Sequence, residues 1–226
     1  MGGNVLDIKH GWEYGDIVVN SPNAVIATEL YKWFSQFAPP DASTYSWGQG
    51  IAQQQAGTSF MTLLQYDVVS EFENSEKTKF AGKFGYFIPP SDLFNCGSQV
   101  ESWVGFIPTS SKNPEASYLF LQWMMSENIQ LSMHLEGNIS PRISVYNNEQ
   151  VQKLPYTNAI LKSLTCMFPK PTIPEASAIQ DIITRALQAF FSNRKTAKDA
   201  LDDAALKIKE RLGNKSKLKY PITNEK

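Results

Sequence analysis

Apolar residues recur every three or four positions in several stretches of the chain, which is the spacing of an amphipathic helix. The first stretch follows Ser21-Pro22-Asn23, a capping residue with proline at the first helical position. Asn113-Pro114-Glu115 carries the same start signals. Helices are predicted to begin near Ser21, Asn113, Pro174 and Thr196, with shorter ones over residues 51–56 and 151–164. Trp33 and Trp123 lie on apolar helix faces, so both are predicted to be core residues.

Three mostly apolar runs of strand length lie between these helices. They cover residues 59–64, 82–88 and 103–107, and the last two end at proline. We interpret all three as strands, the first as a buried strand of a parallel or mixed sheet. Residues 91–99 are predicted to form a loop. Helices between short strands, followed by a helical end, indicate an α/β or α+β fold.

Composition and charge exclude several classes of protein. The chain has 226 residues, 42% of them hydrophobic, which is too apolar for a disordered segment. Its 21 Lys+Arg and 22 Asp+Glu give a formal net charge of −1, which argues against a nucleic-acid binder. No apolar run is long enough to span a membrane, and no signal peptide can be read after Met1. The two cysteines are too few for a disulfide framework or a structural zinc site.

The usual catalytic motifs are missing from the sequence. The two histidines, His10 and His134, form no zinc-protease motif, and no nucleophile elbow or phosphate-binding loop occurs. Cys96 or Cys166 would need a histidine within reach to act as a nucleophile. Neighbouring carboxylates are interpreted as solvated surface groups. We therefore expect no enzyme activity, no cofactor and no metal.

Aromatic and amide side chains are concentrated in predicted loops and at strand ends. The aromatic residues are Trp12, Tyr14, Tyr45, Trp47, Tyr66 and Trp103, and Gln49, Gln53, Gln54, Gln55 and Gln65 lie close to some of them. Flat rings stack on the CH faces of sugars, while amides and carboxylates bond to hydroxyls. The pattern therefore favours a carbohydrate ligand. The alternative interpretation is that half or more of these rings are core residues.

Several segments, taken in order, resemble the family 1 extracellular solute-binding proteins, the receptors of ABC sugar importers. The most specific is Ser111-Lys112-Asn113-Pro114-Glu115-Ala116 before an aromatic helix that contains Trp123. The others are Asn20-Ser21-Pro22, residues 55–61, 82–89 and 103–108, Ser140-Pro141-Arg142, and residues 169–175. The resemblance runs through most of the chain and matches the C-terminal half of such a receptor.

The resemblance implies an α/β, periplasmic-binding-protein-like type II fold, in which two lobes close around a ligand. Residues 1–102 would then belong to the second lobe, residues 103–140 would be contributed to the first lobe, and residues 141–226 would form the hinge connector and closing helices of the second lobe. A sugar receptor of this kind lies outside the cytoplasm and delivers a mono- or oligosaccharide to a transmembrane permease. Nucleic acid is not an expected partner, and membrane contact is expected only through the permease or an N-terminal anchor that this chain lacks.

The same resemblance gives candidate ligand-binding residues. Trp47, Gln65, Tyr66 and Trp103 fall where relatives place cleft-lining groups, Glu101 is a further candidate for bonding hydroxyls, and Arg142 falls at the hinge connector. Relatives often carry glycines where this chain has Glu101-Ser102, and a tryptophan near Tyr66. These departures leave the preferred sugar undefined.

Two other functions stay open at this point. A fragment of a secreted carbohydrate-active enzyme would need a pair of carboxylates flanking the sugar in a cleft. A cytosolic interaction domain would need no ligand site at all. If half of the receptor is absent, the cleft has one wall, so weak sugar binding and self-association through exposed apolar surface are expected.

Overall fold

The computed structural model describes residues 4–90, 97–100 and 102–222, which form two compact units. Unit 1 comprises Met1–Pro40, Pro90–Glu101 and Cys166–Lys226, and unit 2 comprises Asp41–Pro89 and Ser102–Thr165. One unit boundary adjoins the predicted boundary between residues 102 and 103, and the other boundaries fall elsewhere. Which receptor lobe each segment belongs to therefore stays a prediction.

Helices make up most of the regular secondary structure among the described residues. They are α1 (Pro22–Phe34), α2 (Trp47–Ala56), α3 (Val69–Glu73), α4 (Pro114–Met124), α5 (Glu127–Leu135), α6 (Glu149–Gln152), α7 (Thr157–Leu164), α8 (Ala176–Phe191) and α9 (Ala197–Leu212). Short 3-10 helices cover Ser35–Phe37, Ala42–Thr44, Tyr66–Val68, Ile143–Asn147 and Gly213–Lys215. The strands are β1 (Leu6–Asp7), β2 (Asp16–Ile17), β3 (Ser98–Val100) and β4 (Met167–Pro169).

The helix starts predicted from capping signals are confirmed. Ser21 Oγ accepts a hydrogen bond from the Ala24 amide at 3.2 Å, and Pro22 is the first residue of α1. Thr196 Oγ1 likewise accepts from the Asp199 amide at 3.1 Å at the start of α9. These caps satisfy amide groups that have no partner within the helix.

The core of unit 1 lies between α8 and α9, with α1 and the β1–β2 pair packed around it. Helix α9 supplies most of the buried side chains, at helical spacing: Ala197, Ala200, Leu201, Ala204, Ala205, Ile208 and Leu212. Strand β1 pairs antiparallel with β2, with Leu6 opposite Ile17, and both side chains are fully buried. Residues that are distant in sequence thereby share one apolar core.

Strands β3 and β4 also belong to unit 1 and pair in parallel, Ser98 with Met167 and Gln99 with Phe168. The prediction of a loop over residues 91–99 is wrong at Ser98 and Gln99, and residues 91–96 lie outside the described part of the chain. Three residues are too few to display the alternating pattern of a strand, so the sequence could not reveal this pairing.

The core of unit 2 is formed by α3, α5, α6 and α7 around buried aliphatic and tyrosine side chains. Val69, Val145, Tyr146, Val151, Tyr156 and Ile160 form this cluster. Burial, reinforced by the neighbouring Tyr156, raises the pKa of Tyr146 to about 12. Its hydroxyl therefore stays protonated and donates to the Ser140 carbonyl oxygen at 2.9 Å.

The prediction of strands over residues 59–64, 82–88 and 103–107 is wrong. Among the described residues, none of these segments is assigned to a strand. A strand exists only when a second strand takes up its backbone hydrogen bonds, and apolar content alone does not provide that partner.

The prediction that Trp33 and Trp123 are core residues is also wrong. Their exposed fractions are 54% and 55%, and neither α1 nor α4 has a fully buried residue. Only the N-terminal part of α1, at Ala24 and Val25, packs against the core of unit 1, while Tyr31, Trp33 and Phe34 are exposed. In α4, Tyr118, Leu119 and Phe120 are exposed as well.

Candidate ligand-binding site

Helix α2 positions Trp47, the first of the predicted ligand-binding residues, at its N-terminus. The Ser46 amide donates to Gln49 Oε1 at 2.6 Å, which fixes the start of the helix. Gly57, with a φ of 72°, ends the helix in the left-handed conformation. Trp47 is 48% exposed, so part of this residue is accessible to a ligand.

Tyr66 and Gln65 lie at the start of the 3-10 helix that leads into α3. Buried Val68, Val69 and Phe72 anchor this segment in the core of unit 2. The Tyr66 hydroxyl is 2.9 Å from Ser163 Oγ, and the ring packs against the unit 2 cluster. Gln65, which precedes it, is exposed. Tyr66 can therefore offer part of its ring to a ligand, while its hydroxyl is already bonded.

Trp103 lies in a segment of unit 2 that is neither helix nor strand, and it is 98% exposed. Downstream in the same segment, residues 105–108 and helix α4 line an open apolar depression of about 430 Å³. It is lined by Gly105, Phe106, Ile107, Pro108, Ala116, Ser117, Phe120 and Leu121. This surface provides apolar contact area with few polar groups to orient a ligand.

Arg142 precedes the 3-10 helix Ile143–Asn147, and its guanidinium is held by its own unit. Its Nη1 donates to the Met125 carbonyl oxygen at 3.2 Å, and its Nε donates to Ser144 Oγ at 3.1 Å. Glu127 Oε2 lies 4.0 Å from Nε. These contacts fit a residue that stabilises a connector. Glu101, the remaining candidate, lies outside the described residues.

Trp47, Gln65, Tyr66, Trp103 and Arg142 all lie in unit 2. Among the described residues, the ring contacts do not join Trp47, Tyr66 and Trp103 to one another. The structure therefore places these candidates on one unit without assembling them into an enclosed pocket, and their role in binding stays a prediction.

A polar group beside α2 was not among the candidates carried over from the resemblance. The Tyr45 hydroxyl donates to Asp41 Oδ1 at 2.8 Å, and this hydrogen bond raises the pKa of Tyr45. Gln53 Nε2 lies 3.4 Å from the same hydroxyl. Amide, hydroxyl and carboxylate groups thus lie near the helix that carries Trp47, and such groups bond to hydroxyl-rich ligands. The concentration of aromatic and amide residues in this region was the available sequence signal.

The described residues also limit other kinds of chemistry. Within the described ranges, no group of three His, Cys, Asp or Glu side chains is arranged to hold a metal ion. Cys166 is disulfide-bonded, so its sulfur is not a free thiol nucleophile. In that same part of the chain, no helix is both long and apolar enough to cross a bilayer.

Curated relatives match most of the chain. The mannitol-binding protein of Pseudomonas aeruginosa is 25% identical over 186 residues, which cover 74% of this chain and 43% of the relative. The maltodextrin-binding protein of Bacillus subtilis is 23% identical over 213 residues, 92% of this chain and 50% of the relative. A probable amino-acid ABC transporter periplasmic-binding protein of Sinorhizobium fredii is 22% identical over 192 residues, which cover 84% of this chain and 43% of the relative. No protein-family model matches the chain.

Solved structures of the same kind are similar over nearly the whole chain. Maltose-bound MalE3 of T. maritima matches 93% of the chain and 55% of its own length, with a TM-score of 0.82 and 23% identity. A solute-binding protein of an Agrobacterium radiobacter ABC transporter, in complex with ribitol, matches 93% of this chain and 54% of its own length, with a TM-score of 0.77 and 25% identity. The chain is homologous to ABC-type solute-binding proteins.

The predicted resemblance and the predicted α/β, periplasmic-binding-protein-like fold are therefore confirmed. These homologues are binding proteins rather than enzymes. As a solute-binding-protein homologue, the chain spans about half the length of the curated relatives it matches. The prediction that it corresponds to the C-terminal half of a receptor fits this partial coverage.

Proposed function

We propose that the chain is part of the extracytoplasmic receptor of an ABC-type carbohydrate importer, and that it takes part in capturing a sugar or sugar alcohol for a membrane permease. The observation that carries this proposal is homology over most of the chain to a mannitol-binding and a maltodextrin-binding protein. The exposed indole rings of Trp47 and Trp103 support it, because such rings stack on sugar CH faces.

In the proposed complex, each candidate residue has a distinct role. Trp47 and Trp103 stack on sugar rings, and Tyr66 adds the edge of a ring whose hydroxyl is already bonded to Ser163. Gln65 and Glu101 bond to hydroxyl groups. Arg142 stabilises the connector between Met125 and Ser144 rather than contacting the sugar.

A neutral ligand fits the candidate residues better than an amino acid, the class named for the Sinorhizobium relative. An amino acid carries two opposite charges, and each needs a charged or strongly polar partner once water is removed. Of the described candidates, only Arg142 is charged, and its guanidinium already contacts a backbone carbonyl and lies near Glu127. We therefore propose a polyol or saccharide and keep the amino acid as the competing ligand.

The proposal assigns no chemical reaction to the protein and places it outside the cytoplasm. The homologues are binding proteins of ABC transporters, which supports a receptor over a carbohydrate-active enzyme or a cytosolic interaction domain. The disulfide bond at Cys166 supports the same location, because disulfides persist mainly in oxidising compartments.

The ligand class can be tested by titrating the tryptophan fluorescence of the 226-residue chain. The panel is mannitol, ribitol, maltose and a mixture of amino acids. We expect a saturable change with at least one polyol or saccharide and none with amino acids, and a weak affinity, on the order of millimolar, because an open surface buries little of the ligand.

Two matched variants locate the response. Trp47→Phe should reduce the fluorescence change, whereas Trp12→Phe, which alters a more exposed tryptophan in unit 1, should leave it intact. A response to amino acids alone, or no response to any ligand from a folded chain, would contradict the proposal.

A further inference from the structure

Helices α8 and α9 of unit 1 form a depression on the surface of that unit. Its volume of about 350 Å³ falls within the range of about 300–1,000 Å³ that is typical of small-molecule sites. Three of the six lining residues are cationic and one is anionic, which gives the lining a net charge of +2: Ala178, Asp181, Ile182, Arg185, Lys207 and Arg211. This region is called the basic depression below.

The three cations of the basic depression have no acidic partner. Helices α8 and α9 together carry five cationic residues. Lys198 pairs with Asp202, and Lys209 donates to two backbone carbonyl oxygens beyond the end of α9. Among the described residues, no side-chain hydrogen bond or ion pair engages the other three, Arg185, Lys207 and Arg211. The cations of the two helices that lack a partner are therefore the ones that line the depression.

The spacing of the charges concentrates them instead of neutralising them. Lys207 and Arg211 lie one turn apart on α9, and like charges at this spacing repel each other. Asp181 lies four residues before Arg185 on α8, yet these two side chains form no ion pair in the described structure. Like charges gathered in a concave surface raise the local positive potential, which attracts an anion.

The residue types favour a phosphate group over other anions. A guanidinium presents a planar fork of N–H donors that matches two phosphate oxygens, and a lysine ammonium adds a compact positive charge. Two guanidiniums and one ammonium suit a phosphate better than a carboxylate, which has only two oxygens and a single charge. Asp181 can accept a hydrogen bond from a hydroxyl next to the phosphate, and half-buried Ala178 and Ile182 offer contact to carbon atoms.

We propose that the basic depression binds a phosphate group, presented by a free phosphate ester or by the head group of an anionic phospholipid. Arg185 on α8 and Arg211 on α9 bond to the phosphate oxygens, and Lys207 balances the remaining charge. The site belongs to unit 1, whereas the described candidates for sugar binding belong to unit 2. The inference therefore goes beyond the proposed sugar capture and does not depend on it.

The exposure of the three cations sets the strength of the interaction. Arg185, Lys207 and Arg211 are all exposed, so each contact with phosphate is screened by water and salt. We expect a dissociation constant for inorganic phosphate on the order of a millimolar at low ionic strength. Raising the salt concentration should weaken this binding.

An NMR titration of the arginine Nε–H signals tests the proposal on the 226-residue chain, which contains four arginines. Inorganic phosphate is added while sodium chloride keeps the ionic strength constant. The signals of Arg185 and Arg211 should shift and saturate together. Those of Arg142 and Arg194, whose Nε atoms already donate to serine hydroxyls, should stay unchanged.

Two double variants with the same change in net charge provide the specificity control. Lys207→Gln with Arg211→Gln should weaken phosphate binding at least about tenfold, measured on the Arg185 signal. Arg194→Gln with Lys217→Gln removes two exposed charges of unit 1 that do not line the depression and should leave the affinity within about twofold. All four substitutions replace exposed side chains, so both variants should stay folded, which circular dichroism checks.

A sedimentation assay with lipid vesicles distinguishes the two sources of phosphate. The vesicles contain phosphatidylcholine alone or phosphatidylcholine with phosphatidylglycerol. Binding only to the vesicles with phosphatidylglycerol, lost in the Lys207→Gln and Arg211→Gln variant, would support the site and identify a lipid head group. Saturable phosphate shifts without vesicle binding would support the site and identify a free phosphate ester.

Three results would overturn the proposal. One is the absence of a saturable shift of Arg185 and Arg211 with phosphate, whatever the vesicles show. The second is an equal shift of all four arginine signals, which would indicate a general response to anions. The third is an equal loss of affinity in the two double variants. Sugar is absent from every arm, so none of these outcomes depends on carbohydrate binding.

Discussion

His134 occupies a fully buried position in unit 2, where its protonation is opposed by its surroundings. Its Nδ1 accepts a hydrogen bond from the Ser140 amide at 3.1 Å, and its ring meets Tyr146 edge-on at 5.1 Å. The Ser140 hydroxyl in turn donates to Gln130 Oε1 at 2.7 Å. Burial lowers the pKa of the imidazole below its ordinary value of 6.5.

Acid should therefore destabilise unit 2 through His134. Above the ordinary pKa the imidazole is neutral in both the folded and the unfolded state, so it imposes no penalty. Below it the unfolded state binds a proton that the folded state excludes, so stability falls with decreasing pH, by at most about 1.4 kcal/mol per pH unit. Urea unfolding between pH 8 and pH 5 measures this slope.

The two histidines of the chain provide a matched control for this prediction. His134→Gln should flatten the pH dependence in that range, whereas His10→Gln, which alters an exposed histidine paired with Glu13, should retain it. Equal slopes in the two variants would show that His134 is not the responsible group.

Asp202 is a buried charged residue in unit 1, as His134 is a buried titratable residue in unit 2. It is 3% exposed, accepts from Asn20 Nδ2 at 2.7 Å and lies 2.5 Å from Lys198 Nζ. Asp202→Asn removes the charge that these donors face and should destabilise the protein by about 2 kcal/mol. The neighbouring Asp203, which pairs with Lys195, is half exposed. Asp203→Asn should have a much smaller effect in the same thermal or urea unfolding assay, and equal losses would refute this account of Asp202.

Among the elements, helix α2 contains glycines in two different roles. Gly57 ends the helix with a φ of 72°, and an added Cβ would lie 2.3 Å from the Phe80 ring. Gly50 is inside the helix with no atom within 4 Å of such a Cβ. The first glycine is required by backbone conformation and space, and the second only weakens the helix.

Alanine substitutions at these two positions should therefore change stability in opposite directions. Gly57→Ala should lower the unfolding free energy by more than about 1 kcal/mol, because of backbone strain and the clash with Phe80. Gly50→Ala should raise it by about 0.5–1 kcal/mol through helix propensity. Chemical denaturation of both variants checks the signs, and a destabilising Gly50→Ala would contradict the role assigned to it.

An element could be predicted from the sequence where neighbouring residues determine it, and not where it depends on contacts between distant residues. The start of α1 follows from Ser21 and Pro22 alone, so the sequence is sufficient to place it. Strand β3 exists because Ser98 pairs with Met167, far away in the chain, and no local pattern encodes that partner. Residues 103–107 have the composition of a strand but lack a partner strand among the described residues. Local composition therefore predicted a strand there that the structure does not contain.

The candidate site was predictable to a similar extent. The sequence pattern indicated exposed rings, and Trp47 and Trp103 are indeed exposed. Long-range contacts decided the rest: the Tyr66 hydroxyl is bonded to Ser163, and Arg142 is bonded to Met125. The hydrogen-bonded group of Tyr45, Asp41 and Gln53 depends on how the chain folds, so the sequence did not predict these contacts.

For the whole molecule, the division into two units and the partial match to the homologues both bear on how strongly the chain binds sugar. Each unit has its own apolar core, and the described candidate residues for sugar binding all lie in unit 2. The homologues for which mannitol and maltodextrin are named are about twice as long as the matched part. We therefore expect the isolated chain to recognise sugar weakly, through unit 2 alone.

The most direct test of sugar recognition is a titration followed by NMR on the indole N–H signals of the five tryptophans. With mannitol or maltose added to concentrations well above the expected millimolar dissociation constant, the signals of Trp47 and Trp103 in unit 2 should shift and saturate together. Those of Trp12 and Trp33 in unit 1 should stay unchanged. Shifts confined to Trp12 and Trp33, or no shift of any indole signal with either ligand, would contradict the central claim that unit 2 carries the sugar-binding residues.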